Sequence, residues 1–432
     1  MKSYYFFAKL VFVLQLSFIP NLFSSNTFAA ESSTAPIYAE LNARRGLPNF
    51  FVKTQKGDSV RVAYLGGSIT AQEGWRVYSL KWMKEKFPNA KFKEINAAIG
   101  GTGSDFGVFR LNDHVLKFQP DLVFVEFAVN DGGAPSEKII RAMEGIVRQI
   151  WQKNPFTDIC FVYTLKEDFL EDEMKGVFPH SAQTMEKVAD KYAIPTINFG
   201  FEVSNQVKKG KLIFTKKESK DINGVPVFCP DGVHPYVETG HKIYSKVLTR
   251  SFEAMMETDK GKAMKHKLTK PMAPDYFSNT KMLNLTAGKL SDNWTIIKAK
   301  DDSGFSGFSR FLDSIGVASQ TGETLTLSFK GKAIGIYDIK GPDVGQLVVE
   351  IDGVARDTIT RFDKYCTYRR MSYMVIDQLE DKVHKVVFKV IADPFDKGNI
   401  LTNKEDIIEH PEKYKEYNWY LGKILMDGEL IR

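Results

Sequence analysis

The fold that we expect for this chain is inferred first from the stretch VRVAYLGGSIT, residues 60–70. It begins as a short apolar run containing β-branched side chains and ends abruptly in two glycines and a serine. Such a run is typical of a strand buried in a parallel sheet, and the glycines let the backbone turn sharply after it. The stretch therefore predicts a buried strand with a polar residue, Ser68, at its carboxyl end.

The same pattern recurs along the chain in both directions from this stretch. Short apolar runs alternate with amphipathic stretches of helical length, which is typical of βαβ units. The predicted strands are 60–65, 92–97, 122–127, 159–165 and 194–199, and the predicted helices are 75–87, 104–118, 136–153, 181–192 and 236–257. This pattern predicts an α/β domain with a parallel sheet, and we expect the flavodoxin-like arrangement of three layers, taking its strand order 2-1-3-4-5 as a hypothesis.

The character of the sequence changes near residue 258, where a lysine-rich stretch interrupted by prolines begins. We expect residues 258–284 to connect two domains, although they could also form a solvated helix end or wrap across the surface of the first domain. Beyond residue 285, turn residues separate short alternating runs, and these predicted strands include 324–330, 333–339, 346–351, 385–391 and 421–427. The pattern predicts a first domain over 31–257 and a second domain over 285–432, the latter a β-sandwich of jelly-roll type.

Residues 1–30 have the layout of a secretory signal peptide. Lys2 and Lys9 precede an apolar run, and small residues follow it near Ala29 and Ala30, where we expect cleavage. The apolar run is shorter than the roughly 20 residues that span a bilayer, which disfavours the alternative of an uncleaved membrane anchor. We therefore expect an exported protein, periplasmic or secreted, with no membrane insertion after the signal is removed.

Composition disfavours several classes of function. The formal net charge of the 432-residue chain is only +6, so nothing in it calls for a nucleic-acid partner. The three cysteines, Cys160, Cys229 and Cys366, are far apart and have no metal-ligand spacing. We therefore expect neither a disulfide framework nor a metal site, and no cofactor.

Three unusual segments follow the first three predicted strands: GGSIT (66–70), GGTGS (100–104) and AVNDGG (128–133). In an open parallel sheet, ligands bind beyond the carboxyl ends of the strands, at the point where the strand order reverses. The expected order places the three segments side by side at that point. They supply the hydroxyl of Ser68, the backbone amide of Gly101 and the carboxamide of Asn130.

A serine hydroxyl becomes a nucleophile when a base removes its proton and a further group orients that base. The candidate base is His234, and Asp231 lies three residues before it. In a turn, that spacing lets the carboxylate reach one imidazole nitrogen while the other faces outward. Asp381 and His384 have the same spacing in the second domain, where we expect an exposed hairpin without a serine nearby. The pairing of His234 with Ser68 is therefore inferred from topology.

Hydrolysis of an ester also needs donors aimed at the developing oxyanion. Three are available: the backbone N–H of Ser68, the backbone N–H of Gly101 and the side-chain amide of Asn130. Each residue also has a structural alternative, with Ser68 as a helix cap, Gly101 as a turn former and Asn130 as a loop cap. Their common position at three adjacent strand ends favours a site.

Over residues 58–256, these segments resemble the conserved blocks of the SGNH/GDSL hydrolase superfamily. Gly67 and Ala128 depart from the family pattern, which more commonly reads Gly-Asp-Ser in the first block and Gly-x-Asn-Asp in the third. The resemblance implies the SGNH hydrolase fold, five site residues and no metal. The site residues are Ser68 as nucleophile, Gly101 and Asn130 in the oxyanion hole with the Ser68 N–H, and Asp231 and His234 completing the triad.

Trp75 and Arg76 lie just beyond the serine and could flank a substrate pocket. The indole offers a flat face for a sugar ring, and the guanidinium offers a fork for an acidic group. Alternatively, Trp75 starts a helix and packs inward. We interpret the lone His180 and His241 as structural residues.

An exported esterase with an added β-sandwich resembles bacterial carbohydrate esterases that remove acetyl groups from polysaccharides. We therefore expect a serine esterase that acts on an acetylated glycan through an acyl-enzyme; this step rests on analogy between folds. Two alternatives stay open. One is a hydrolase or acyltransferase for lipids or short acyl chains with the same triad, and the other is a non-catalytic glycan-binding protein.

Overall fold

The computed structural model of the protein describes residues 37–431. The predicted signal peptide, residues 1–30, lies outside the described residues. The described chain contains an α/β domain followed by an antiparallel β-rich domain, and both belong to one compact unit. Within the described range, no helix combines the length and the apolar character needed to cross a membrane.

A mixed sheet forms the centre of the first domain. Its strands are β1 (Leu41–Asn42), β2 (Ser59–Gly66), β3 (Lys91–Asn96), β4 (Leu122–Glu126), β5 (Asp158–Tyr163) and β6 (Thr196–Asn198). They lie in the order β1-β6-β5-β4-β2-β3, and every pair is parallel except β1 with β6. The parallel strands, counted along the chain, therefore follow the order 2-1-3-4-5, which confirms the predicted topology. The short antiparallel β1 was not predicted.

Helices cover both faces of this sheet. They are α1 (Pro48–Gln55), α2 (Ser68–Ala71), α3 (Trp75–Lys86), α4 (Ser104–His114), α5 (Ser136–Lys153), α6 (Leu170–Met174), α7 (His180–Tyr192), α8 (Phe199–Lys208) and α9 (Gly240–Glu257). Alternate side chains of β2 enter opposite cores, as the period of a strand requires. Ala63 and Leu65 pack with α4, α5 and α7, whereas Val62 and Tyr64 pack with α1, α3, α8 and α9. The predicted three layers are confirmed.

A small sheet that was not predicted leads into the histidine turn. It consists of β7 (Ile213–Thr215), β8 (Asp221–Ile222) and β9 (Val225–Cys229), with β9 in the middle. The buried residues Val227, Phe228 and Cys229 anchor β9 in the first domain. The chain then turns through Asp231 and His234 before it enters α9.

The second domain is built from antiparallel strands. They are β10 (Thr280–Asn284), β11 (Lys289–Leu290), β12 (Thr295–Lys298), β13 (Ser314–Ala318), β14 (Thr324–Lys340), β15 (Gln346–Ile351), β16 (Val354–Ala355), β17 (Ile359–Thr360), β18 (Arg370–Ile376), β19 (Lys382–Ile391) and β20 (Trp419–Ile431), with short helices α10 (Lys397–Ile400) and α11 (Lys404–Glu409). The long strand β14 pairs with β19 through its first half and with β18 through its second half. It pairs with β20 along most of its length. This antiparallel, β-rich second domain agrees with the predicted class.

The expected connector, residues 258–284, lies on the surface of the first domain, as in the wrapping alternative. The imidazole of His266 stacks on Trp151 with ring centroids 4.6 Å apart, and its Nε2 lies 2.8 Å from Oδ1 of Asp158. The backbone N–H groups of Met272 and Ala273 donate to the carboxylate of buried Glu144 on α5, at 2.7 and 2.8 Å. The first strand of the second domain, β10, already begins within this range. These contacts fix the path between the domains.

Candidate active site

Ser68 stands at the carboxyl end of β2, where the sequence predicts it. It is the first residue of the short helix α2, and a hydrogen bond of 3.0 Å from the Ala71 N–H to the Gly67 carbonyl closes this turn. The neighbours Gly67 and Ile69 are buried, whereas Ser68 is partly exposed. The fold therefore presents the hydroxyl at the surface on a rigid support.

His234 and Asp231 approach this hydroxyl from the turn after β9. Nε2 of His234 lies 2.8 Å from Oγ of Ser68, and Nδ1 lies 2.7 Å from Oδ2 of Asp231. The other carboxylate oxygen of Asp231 accepts the backbone N–H groups of His234 at 2.8 Å and Val233 at 3.0 Å. Residues that are 166 positions apart in the sequence thus form one continuous chain of hydrogen bonds.

A glycine makes the histidine turn possible. Gly232 has a φ of +80°, a conformation that L side chains rarely adopt. A Cβ at this position would also lie only 2.8 Å from Oε2 of Glu167. The Gly232 carbonyl accepts the Glu167 N–H at 2.8 Å, which ties the turn to the loop after β5.

The electrostatics of the turn favour a carboxylate at Asp231. Partial burial raises its pKa, but the hydrogen bonds from the His234 backbone and ring and from the Val233 N–H outweigh burial, so the pKa of Asp231 is lowered. An ionised carboxylate only accepts hydrogen bonds, so the neutral imidazole of His234 carries its proton on Nδ1. Nε2 is then free to accept the proton of the Ser68 hydroxyl, which is the arrangement needed for general-base chemistry.

The two other glycine- and asparagine-bearing segments also meet at Ser68. A Cβ on Gly100 would lie 3.5 Å from Cβ of Ser68, so this backbone runs directly beside the hydroxyl-bearing residue. Gly101 has a φ of +72° and is exposed. A Cβ on Gly67 would overlap the carboxamide of Asn130. The structure therefore joins Ser68, His234 and Asp231 by hydrogen bonds, and it places Asn130 and the segment that carries Gly101 beside the serine turn.

Sequence reasoning missed the buried carboxyl group beneath the nucleophile turn. Glu126, at the end of β4, accepts the hydroxyl protons of Thr70 at 2.8 Å and Thr164 at 2.7 Å. No cation contacts it in the described part of the chain, and burial raises its pKa. An acidic residue at the end of the otherwise apolar run LVFVE was the signal available in the sequence.

Sequence reasoning also missed Asp131, which lies next to Asn130. Its Oδ1 accepts the backbone N–H of Ser104 at 3.0 Å, and burial raises its pKa to about 7. Asp131 therefore ties the Asn130 loop to the start of α4, directly after Gly101 and Gly103.

The proposed substrate contacts of Trp75 and Arg76 are corrected by the structure. The Trp75 side chain is fully buried, and its ring packs edge-to-face on Tyr64 at 5.5 Å and Phe124 at 5.6 Å. Arg76 is also buried and forms ion pairs with two glutamates, one of them Glu94. Tertiary packing buries both residues, and for Trp75 the inward-packing alternative is the one observed.

His241 is also buried, on α9. Its Nδ1 accepts the Trp75 N–H at 3.2 Å, and its Nε2 lies 3.0 Å from Oε1 of Gln72. The pKa of His241 is lowered to about 4, mainly by burial and to a smaller extent by the nearby His234. It therefore acts as a neutral packing residue beside the site.

The second Asp-x-x-His pattern differs from the expectation. His384 is buried within β19, where an exposed hairpin was expected, and its Nδ1 pairs with Oδ2 of Asp352 at 2.8 Å. Asp381 is not its partner. Nε2 lies 2.8 Å from the carbonyl oxygen of Glu380. Both ring nitrogens are thus occupied.

Comparison with protein families identifies the first domain. Residues 64–239 match the model of the GDSL-like Lipase/Acylhydrolase family, a range that includes Ser68, Gly101, Asn130, Asp231 and His234. Over these residues the first domain is similar to the GDSL-like lipase/acylhydrolase family. A search of curated proteins finds no match to this chain.

Solved structures extend the comparison beyond this GDSL-like domain. A two-domain esterase (CEX) active on acetylated mannans is 21% identical to this chain, with a TM-score of 0.69, over 90% of this chain and 97% of the other. The same kind of esterase co-crystallised with mannopentaose is 21% identical, with a TM-score of 0.66, over 89% of this chain and 94% of the other. The likeness extends through both domains and confirms the SGNH hydrolase fold followed by a β-rich domain.

Proposed function

We propose that this protein is an exported serine esterase that removes acetyl or other short acyl groups from polysaccharides or oligosaccharides. The hydrogen bond of 2.8 Å between Nε2 of His234 and Oγ of Ser68 carries this proposal, because Asp231 occupies the opposite ring nitrogen. A hydroxyl, a base and an orienting carboxylate in this order can form an acyl-enzyme. The match of the first domain to a family of acylhydrolases agrees with this chemistry.

In the first half of the reaction, His234 takes the Ser68 proton while Oγ attacks the carbonyl carbon of the ester. The N–H groups of Ser68 and Gly101 and the amide of Asn130 are the proposed donors to the resulting oxyanion. His234 then returns the proton to the sugar oxygen, the C–O bond to the sugar breaks, and the acyl group stays on Ser68. Water, deprotonated by His234, attacks this acyl-enzyme, releases the carboxylic acid and restores the serine.

Two observations support an acetylated glycan as the substrate. The esterase that shares the fold of both domains acts on acetylated mannans, and one of its structures holds mannopentaose. The sequence of residues 1–30 has the layout of an export signal, which fits a polysaccharide outside the cytoplasm. We include periplasmic or secreted location in the proposal for that reason.

Acetate release tests the reaction and the substrate together. Purified wild-type protein should release acetate from at least one member of a panel of acetylated oligosaccharides, and Ser68→Ala should lower the rate by about 10⁴-fold or more. Ser136→Ala is a matched control, because Ser136 also faces a histidine, with Oγ 3.5 Å from Nε2 of His180. The control should keep full activity. Acetate release by Ser68→Ala at the wild-type rate would exclude the proposed mechanism.

The length of the acyl chain separates this proposal from a lipid hydrolase with the same triad. We expect p-nitrophenyl acetate to be cleaved with a higher kcat/KM than long-chain p-nitrophenyl esters. A serine-reactive phosphonate should label Ser68, as located by peptide mass spectrometry. A preference for long chains would contradict a small acyl group, and absence of labelling would favour a non-catalytic protein.

A further inference from the structure

The segment that carries Gly101 is held at both ends by residues of the second domain. We call residues 97–103 the Gly101 segment. At its beginning, the guanidinium of Arg310 donates to the carbonyl oxygen of Asn96. At its end, the hydroxyl of Tyr373 accepts the backbone N–H of Gly103 at 3.4 Å and donates to Oδ1 of Asp105 at 2.5 Å.

The middle of the Gly101 segment, Gly100 and Gly101, has no side chain to hold it, although its neighbours are fixed: the Ile99 N–H donates to the Gly66 carbonyl at 3.0 Å, and the Thr102 hydroxyl donates to the Ile99 carbonyl at 2.8 Å. Gly100 and Gly101 lack side chains, and glycine has the largest backbone freedom to lose on ordering. Around Gly101 there is open space where a Cβ would lie. The conformation of these two residues therefore depends on how firmly the ends of the segment are fixed.

The first domain fixes the ends only in part. Buried Arg110 donates to the carbonyl oxygens of Ala97 and Gly66, and Asp131 accepts the N–H of Ser104. The N–H of Gly103, which precedes α4, donates a hydrogen bond to the hydroxyl of Tyr373 in the second domain. The two domains therefore share the support of this segment.

Tyr373 is itself rigidly placed on β18. Its ring stacks on that of Phe106, with centroids 4.6 Å apart and an angle of 13° between the planes. Phe106 is fully buried on α4 and also contacts Tyr337 of β14 at 4.7 Å. The other carboxylate oxygen of Asp105 pairs with Nζ of Lys138 at 2.7 Å. Because its ring is held by this packing, the Tyr373 hydroxyl can fix the position of the residues at the start of α4.

We propose that the β-rich domain is part of the active site, with Tyr373 and Arg310 as positioning residues that hold the Gly101 N–H towards the oxyanion. This inference rests on the proposed function, because it requires Gly101 to be an oxyanion donor. Neither side chain needs to touch the substrate, since both act through the backbone of the Gly101 segment. The second domain then contributes to catalysis on every ester, including esters without a sugar.

Kinetics on p-nitrophenyl acetate test the inference, because this substrate has no glycan with which the second domain could make contact. In the full-length protein, Tyr373→Phe removes the hydroxyl and keeps the ring on Phe106. We expect kcat about tenfold lower, KM within about twofold and little change in the melting temperature, as for a donor displaced by a fraction of an ångström. Arg310→Gln, at an exposed position, should lower kcat in the same way. Tyr365→Phe, an exposed tyrosine of the same domain, is the matched control and should behave as wild type.

Hydrogen exchange supplies a second readout that does not depend on activity. Peptides covering 97–106 should exchange several-fold faster in Tyr373→Phe than in wild type, whereas peptides of β2 should not change. Unchanged kcat, unchanged exchange, or a raised KM at wild-type kcat would each overturn the inference.

Ser68→Ala distinguishes failure of the inference from failure of the proposed function. If Ser68→Ala is inactive on p-nitrophenyl acetate while Tyr373→Phe matches wild type, the inference alone fails. If Ser68→Ala remains fully active, the proposed function fails and the inference fails with it.

Discussion

Two aspartate–histidine pairs in this protein have nearly the same short contact and differ in what lies on the other side of the ring. Nδ1 of His234 is 2.7 Å from Asp231, and Nδ1 of His384 is 2.8 Å from Asp352. The second nitrogen of His234 faces a serine hydroxyl, which can donate a proton to it. The second nitrogen of His384 faces a backbone carbonyl, which can only accept one. The orienting carboxylate alone therefore does not make a histidine a base.

Exposure separates the two pairs as well. The His234 side chain is 36% exposed, whereas that of His384 is 4% exposed and lies beside the ring of Phe329. A general base must reach a substrate, and a buried imidazole between strands cannot. In the second domain the exposed carboxylate of Asp352 satisfies one nitrogen of the buried His384 imidazole, which is a contribution to stability.

The same substitution at both histidines tests whether the two pairs differ in function. We expect His234→Asn to lower kcat/KM for ester hydrolysis by about 10⁶-fold, because Ser68 loses its proton acceptor. The melting temperature should change little, since the side chain is partly exposed. Steady-state kinetics and thermal unfolding of the purified variant measure both effects.

His384→Asn should show the opposite profile. We expect a wild-type kcat/KM together with a free energy of unfolding that is lower by about 1–3 kcal/mol, because the buried imidazole is lost together with its packing on Phe329 and its two hydrogen bonds. If His384→Asn lost activity as fully as His234→Asn while remaining folded, the distinction between the two pairs would be wrong.

Substitution of the two aspartates tests whether the carboxylates have different roles in the two pairs. Asp231→Asn should lower kcat by about 10⁴-fold, because a carboxamide can stabilise the wrong tautomer and does not stabilise the imidazolium that forms. The expected loss is smaller than for His234, since the base itself remains. Asp352→Asn should leave kcat unchanged in the same assay. Equal losses in the two variants would argue against a specific role of Asp231.

A third histidine extends the comparison to pH. The folded-state pKa of His241 is about 4, below the ordinary value of 6.5, because burial disfavours its charged form. As the pH falls below about 6.5, His241 becomes protonated in the unfolded chain but stays neutral in the folded chain. Stability is therefore lost between pH 6.5 and 4. Between pH 7 and 5, His241 should contribute a decrease on the order of 2 kcal/mol in the free energy of unfolding. Urea unfolding of wild type and His241→Gln measures this contribution, and an equally steep decrease in both would assign it to other groups.

The first sheet was predictable because its strands are short, apolar and buried on both faces. The run predicted over 122–127 appears as β4, Leu122–Glu126, and the strand order taken as a hypothesis for a flavodoxin-like sheet is the one observed. β1 has only two residues and carries no pattern that could be detected. In the second domain, the strands predicted over 324–330 and 333–339 form the single strand β14, because the chain passes Gly331 with a register shift and not with a turn.

The site shows the same division between what is local and what is long-range. The spacing of Asp231 and His234 is local, so their pairing was predictable, and the topology supplied Ser68. The partner of His384 is Asp352, which lies 32 residues earlier, directly after β15. The sequence spacing therefore pointed to the wrong aspartate, Asp381. Trp75 was placed wrongly because its partners on β2 and β4 exist only in the folded sheet.

Gly67 limits how this active site can be engineered. The volume that a side chain would occupy there already holds the carboxamide of Asn130, so the commoner Gly-Asp-Ser sequence fits only if the Asn130 side chain moves. A single Gly67→Asp substitution would displace the Asn130 carboxamide, which is one of the proposed oxyanion donors. Any library that varies position 67 should vary residues 128–131 in the same clones, because these two stretches occupy one shared space.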